Sequence, residues 1–151
     1  MTVSAGRRGA GRRSDEEVPV LTTSHTTTIL PVADVERATH FYAEALGLAD
    51  AGTSPDGMHL FRIADGEREC DMIALRPAEP GAQSEHTVLS FEVPDIRREI
   101  SDLERRGVRF QDYDMPGLRT RDHIADMQGE KAAWFVDTEG NILCLHQHVG
   151  G

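Results

Sequence analysis

The stretch SHTTTILPVAD, residues 24–34, has a counterpart about sixty residues further on in EHTVLSFEVPD, residues 85–95, and this recurrence limits the fold more than any other feature. His25 leads to Val32 and Asp34 as His86 leads to Val93 and Asp95. In each copy a run suited to a strand ends at an Asp placed to cap a helix. A repeat of this length is too long for a solenoid unit and points to a duplicated supersecondary structure.

The residues after each Asp support the duplication. Val35, Ala38, Phe41, Ala45 and Leu46 recur at helical spacing up to Gly47, which predicts one amphipathic helix ending on a glycine. Ile96, Ile100 and Leu103 do the same before Gly107, with Arg97, Arg98, Glu99, Asp102 and Glu104 on the wet side. Three strands are then expected per copy: 48–51, 58–63 and 70–75 in the first, 108–111, 132–136 and 142–146 in the second. The turn formers ADGERE and DTEGN separate the last two strands of each set.

The predicted class is therefore α+β, as two tandem βαβββ units whose paired mixed sheets form a cup. Each sheet hides one face under its helix and keeps a second face for the sister unit or a guest. The expected organisation is a tail over residues 1–22 and one domain over 23–148, made of units 23–80 and 84–148. The tail, rich in Gly, Ser and Arg, lacks the apolar side chains needed to offset the entropy of ordering, so disorder is expected there.

Without that tail the body keeps 12 basic against 23 acidic side chains, a formal charge of −11. Such a surface repels phosphate backbones, which argues against a nucleic-acid partner. No run is long and apolar enough to span a bilayer, and no secretory pattern follows the paired arginines. Cys70 and Cys144 match neither a disulfide framework nor a zinc spacing, so a reduced cytoplasmic setting is the expectation.

The stretches ILPVADVERATHFYAEALGL, FEVPDIRREISDLERRGVRFQDYDMPGLRT and KAAWFVDTEGNILCLHQ resemble the vicinal oxygen chelate superfamily, which unites glyoxalases, bleomycin-resistance proteins and extradiol dioxygenases. The likeness covers about residues 25–147, and the run from YDMPGLRT through AAWFVDTEGNIL is similar to a glyoxalase-like subgroup. It implies the duplicated βαβββ fold, a small-molecule ligand and a homodimer. In metal-bearing members a His or Gln stands five residues before the Val of the helix-leading VxD, and a carboxylate four residues after the turn glycine. Those positions are Thr27, Val88 and Cys144 here; the first unit's carboxylate strand does not align, though Asp71 lies nearby.

A hydroxyl, an isopropyl group and a lone thiol do not make a site for zinc, nickel, iron or magnesium. No metal cofactor is therefore expected at the usual place. His25 and His86 share the faces of residues 27 and 88 but sit two residues away, roughly 6–7 Å along the strand, too far for a bond of about 2.0–2.1 Å. The alternative is one divalent ion at a displaced site built from His25, His86 and His146.

The ligand-contacting residues expected are Thr27, Val88, Ser90, Trp134 and Cys144 on the cup face, with Tyr113 and Arg119 from the connection 112–131, a segment long enough to act as a lid. Arg121, His123, His59 and Phe61 are further candidates. Trp134 and Phe135 alternate, so one ring faces the cup and the other the helix layer, without sequence deciding which. Glu92, His86 and His25 are the candidate acid–base groups; Cys144 reads as a small buried hydrophobe. The functional expectation is a binding protein for a small apolar or aromatic molecule. The alternative is a metal-dependent lyase, epimerase or dioxygenase.

Overall fold

A computed structural model describes residues 21, 24–63 and 71–149 of the chain. The proposed tail, apart from Leu21, lies outside the described residues, as do Cys70 and the ADGERE turn.

The first unit contains β1 (Thr27–Val32), α1 (Val35–His40) continued by a π-helical turn (Phe41–Ala45), β2 (Ala49–Thr53), β3 (His59–Arg62) and β4 (Met72–Pro77). The second contains β5 (Thr87–Glu92), α2 (Ile96–Arg105), β6 (Phe110–Gln111), β7 (Asp114–Met115), β8 (Leu118–Arg119), β9 (Ala125–Met127), β10 (Glu130–Val136) and β11 (Ile142–His148). The sheets run β1-β4-β3-β2 and β5-β11-β10-β6. In both, the opening strand pairs in parallel with the closing strand and the other pairings are antiparallel. The duplicated α+β architecture is thus present, with strand ends moved by one or two residues from the sequence expectation.

Asp34 and Asp95 perform the same local task. Each side chain accepts a hydrogen bond from the backbone amide three residues on, Arg37 or Arg98, which satisfies an amide that the first helical turn leaves without a partner. The single helix expected over 35–46 is divided: the Leu46 amide donates to the Phe41 carbonyl at 3.1 Å, a five-residue step that widens the helix. Tyr42, not Phe41, becomes the fully buried aromatic, and Phe41 stays half-buried.

Leu30, Val32, Ala38, Tyr42, Phe61, Ile73 and Leu75 of the first unit join Ile96, Ile100, Leu103, Phe135, Leu143 and Leu145 of the second in one buried cluster. Both sheets therefore turn their helix-covered faces to a shared core. Strand alternation leaves the opposite face of each sheet outside that core. Asp137 ties the halves together: it accepts from the Tyr42 hydroxyl at 2.7 Å and from the amides of Glu139 and Asn141. Asn141 and Gln83 both donate to the Pro31 carbonyl.

The connection 112–131 carries regular structure. It holds the β7–β8 hairpin and the strand β9, which extends the edge of β10 beside β6.

Candidate functional site

Register fixes which side chains share the open face of the second sheet. Ser90 lies opposite Cys144, Glu92 opposite His146, and Trp134 opposite both Cys144 and Gln111. Phe135 and Leu143 are buried on the other side, so Trp134 is the ring that faces away from the core. Tyr113 meets it edge to face, with ring centroids 5.5 Å apart and planes at 89°. The Tyr113 hydroxyl donates to Gln111 at 2.9 Å, which fixes the phenol beside the indole. Ala132 and Cys144 are buried beneath, giving a small, uncharged floor.

Cys144 sits too deep to serve as a ready nucleophile. Burial pushes its thiol up, against a smaller opposing effect from Ser90 and a backbone contact at Ala133. Ser90 Oγ also lies 2.6 Å from Nδ1 of His146, so the hydroxyl links the floor to the imidazole above it.

The remaining candidates are dispersed. Thr27 is exposed on β1, paired with Met72. Val88 falls at a bulge, where the pairing steps from Thr87 to Leu89, and it packs half-buried against the core. His86 is exposed before β5, its amide donating to Ser84 Oγ. His25 is exposed before β1, close enough to Asp71 to help hold that carboxyl below its usual range, an effect led by the Thr26 amide. Arg119 is mostly exposed and pairs with Asp114 at 3.1 Å. Arg121 bridges to Ile124, and His123 lies between Asp112 and Glu104. Phe61 is fully buried beside Tyr42 and so belongs to the core, and His59 pairs with Asp50 at 2.9 Å.

The register also supplies the position that sequence alone left open. Ser90 matches Ile29 by the internal repeat, and Ile29 pairs with Ala74 as Ser90 pairs with Cys144. By the resemblance, the four positions that would hold an ion in metal-bearing relatives correspond to Thr27, Ala74, Val88 and Cys144, Ala74 being the register match of Cys144. A hydroxyl, a methyl, an isopropyl and a buried thiol do not fit a divalent cation.

Sequence reasoning missed a different group. Glu92, His146 and His148 bring one carboxylate oxygen and two imidazole nitrogens within 4.8 Å of one another, and His25 and His86 are outside that group. The signal was present as His146 and His148 at i and i+2 on one strand, opposite a strand carrying Glu92.

A broad groove of about 710 Å³ runs along the outer side of α1, lined by Arg37, His40, Glu44 and Arg106 among others. It is shallow and charged, and it lies away from the sheet face. A second of about 550 Å³ follows the β7–β8 hairpin past Tyr113, Arg119 and Arg121.

A family model described as Glyoxalase/Bleomycin resistance protein/Dioxygenase superfamily matches residues 22–145. No curated protein matches the chain significantly. Among solved structures, TnmS3, an antibiotic binding protein from Streptomyces sp. CB03234, shares 22% identity over 86% of this chain and 99% of its own, with a TM-score of 0.59. A superfamily member from Sphaerobacter thermophilus shares 23% over 85% and 100%, with a TM-score of 0.62. A point mutant of the fosfomycin resistance protein FosX from Listeria monocytogenes, complexed with Mn(II) and 1S,2S-dihydroxypropylphosphonic acid, shares 18% over 88% and 93%, with a TM-score of 0.58. At these identities the likeness is one of fold.

Proposed function

Since the chain belongs to the glyoxalase, bleomycin resistance protein and dioxygenase superfamily, we propose that it binds a small organic molecule with an apolar or aromatic part on the open face of its second sheet. The observation that carries this reading is the half-buried Trp134 indole, braced edge-on by Tyr113 above the Cys144 floor. An aromatic pair at right angles offers a planar guest one face to stack on and one wall to stop against. Ser90 and His146 supply polar contacts at the rim, with Arg119, beside Tyr113, as an outer contact. The antibiotic-binding description of a protein with the same fold supports the substrate class.

Binding by shape and stacking needs no activated oxygen, which accords with a lone buried thiol and a hydroxyl, in place of imidazoles and carboxylates, at the family's usual positions. The catalytic alternative would require His25, His86 and His146 to share an ion, and they do not form one ligand group among the described residues. A homodimer completes the proposal: a second copy covers the open faces and closes the cup. The acidic body disfavours nucleic acid, and among the described residues no helix is long and apolar enough to cross a membrane. A cytoplasmic location is part of the same proposal.

The chain has one tryptophan, so intrinsic fluorescence reports on the proposed site directly. Titration with a panel of polycyclic aromatic natural products and of small aliphatic acids is expected to quench or shift Trp134 emission saturably with the aromatic set. Replacement of Tyr113 by alanine is expected to weaken that binding at least tenfold. Tight binding of a compound that leaves Trp134 emission unchanged would overturn the reading.

A further inference from the structure

At the far end of the same sheet, we propose that Glu92, His146 and His148 form a site for one late first-row divalent cation of the zinc, cobalt or nickel class. His146 and His148 alternate along β11 and so project from one face, with ring centroids 5.8 Å apart. Glu92 stands opposite His146 on β5. Its Oε1 is 3.8 Å from His146 Nε2 and 3.7 Å from His148 Nε2.

The orientation of the imidazoles is the second, independent observation. Each ring turns Nδ1 to a polar neighbour: His146 to Ser90 Oγ at 2.6 Å, His148 to Glu130 Oε2 at 3.6 Å. Both Nε2 atoms lie within 3.8 Å of one carboxylate oxygen. For His146 this is how metal-binding histidines are held, with the outer nitrogen fixed by a hydroxyl so that the inner lone pair can point at the ion; Glu130 stands near His148 beyond hydrogen-bond distance. With Nε2 on a cation, Nδ1 of His146 carries the proton and donates to Ser90.

The spacing suits an ion better than direct bonds. Separations of 3.7 and 3.8 Å exceed a hydrogen bond. Ligand atoms on a tetrahedral ion with bonds of about 2.0–2.1 Å lie roughly 3.3 Å apart, so a movement of about half an ångström brings the Glu92 oxygen to that distance from the imidazole nitrogens, and the three ligand atoms already lie within 4.8 Å of one another. The Glu92 side chain is 64% exposed and free to make it. Two imidazoles and one carboxylate favour zinc, nickel and cobalt over magnesium or calcium, and they leave a position for water or for an oxygen of a guest.

The site differs from the family's ligand positions, since it lies one strand step beyond Cys144, and the first unit does not repeat it. By register, Glu92, His146 and His148 correspond there to Pro31, Arg76 and Ala78, which offer neither imidazole nor carboxylate. The competing account is a surface cluster of ion pairs, which requires protonated imidazoles and binds no metal.

The test uses the full chain, free of any histidine tag and stripped with chelator, titrated with cobalt(II) and followed by d–d absorption, with zinc(II) competition and calorimetry. One equivalent of cobalt is expected, displaced by zinc. His148→Ala and Glu92→Gln, both at exposed side chains, are expected to weaken binding at least 100-fold with unchanged circular dichroism, and Ser90→Ala about tenfold or more. Paired substitution of His25 and His86 is expected to leave binding intact, as is His40→Ala. Absence of stoichiometric binding, retention of the full equivalent in His148→Ala, or its loss on replacing His25 and His86 would overturn the proposal. Guest binding at Trp134 is read separately, so either proposal can fail without the other.

Discussion

The Tyr42 hydroxyl lies 2.7 Å from Oδ2 of Asp137, so the π-helical turn of the first unit is fastened to the turn before the last strand of the second. Both residues are buried, and burial beside Asp137 drives the phenol pKa far above its ordinary value. Asp137 Oδ2 also accepts from Asn141 at 2.9 Å. The DTEGN segment is therefore a clasp between the repeats as well as a reversal of the chain.

Replacing Tyr42 by phenylalanine keeps the packed ring and removes one donor to a buried carboxylate. The expected cost is about 1–3 kcal/mol, because Asp137 is left short of a partner away from water. Urea unfolding measures it, and a lower midpoint at unchanged slope is the expected form. A loss confined to the slope would instead mean that the compactness of one state had changed.

Glu139 predicts an acid dependence. Its carboxyl is lowered from 4.5 to about 2, first by the Arg37 guanidinium, at 2.8 Å, and further by the Asp34 amide; desolvation opposes the shift. Because the folded value is depressed, this contribution is fully present above pH 4.5 and is lost as pH falls toward 2. Between pH 6 and 3 the Glu139→Gln variant should lose stability less steeply than the wild type, measured by urea midpoints. Parallel losses would remove Glu139 from the acid response.

Cys144 should react slowly. A thiol pushed up by burial carries little thiolate at pH 8. In a Cys70→Ser background, a disulfide reagent is expected to modify native Cys144 at least tenfold more slowly than the same protein in denaturant. Rapid native modification would mean that the floor beneath Trp134 is open.

Ile29 stands 53% exposed on the open face of the first sheet, beside the fully buried Ala74. If a second copy covers that face, Ile29→Asp places a charge in the interface and should halve the mass seen by light scattering at micromolar concentration. An unchanged dimer mass would show that the copies meet at another surface.

The residues that could be read in advance are those whose effect is local. Asp34 and Asp95 cap the helices they precede, and Leu143 and Leu145 point opposite to Cys144 and His146 because strand geometry alternates whatever surrounds it. Duplication was equally legible, since a repeated pattern of turns and apolar spacings needs no third dimension to be seen. Sequence could not choose between Trp134 and Phe135: both rings fit either face, and only packing of Phe135 against Phe110 in the core decided it.

Tertiary structure alone decided whatever depends on pairing between distant strands. The bulge at Val88, the match of Ala74 to Cys144, and the meeting of Glu92 with His146 and His148 all arise from registers between segments far apart in the chain. A shift of one residue in such a ladder turns every side chain to the other face. Local composition therefore reveals the elements, while which side chains meet on the open sheet is settled by hydrogen-bond register and by the core that locks it.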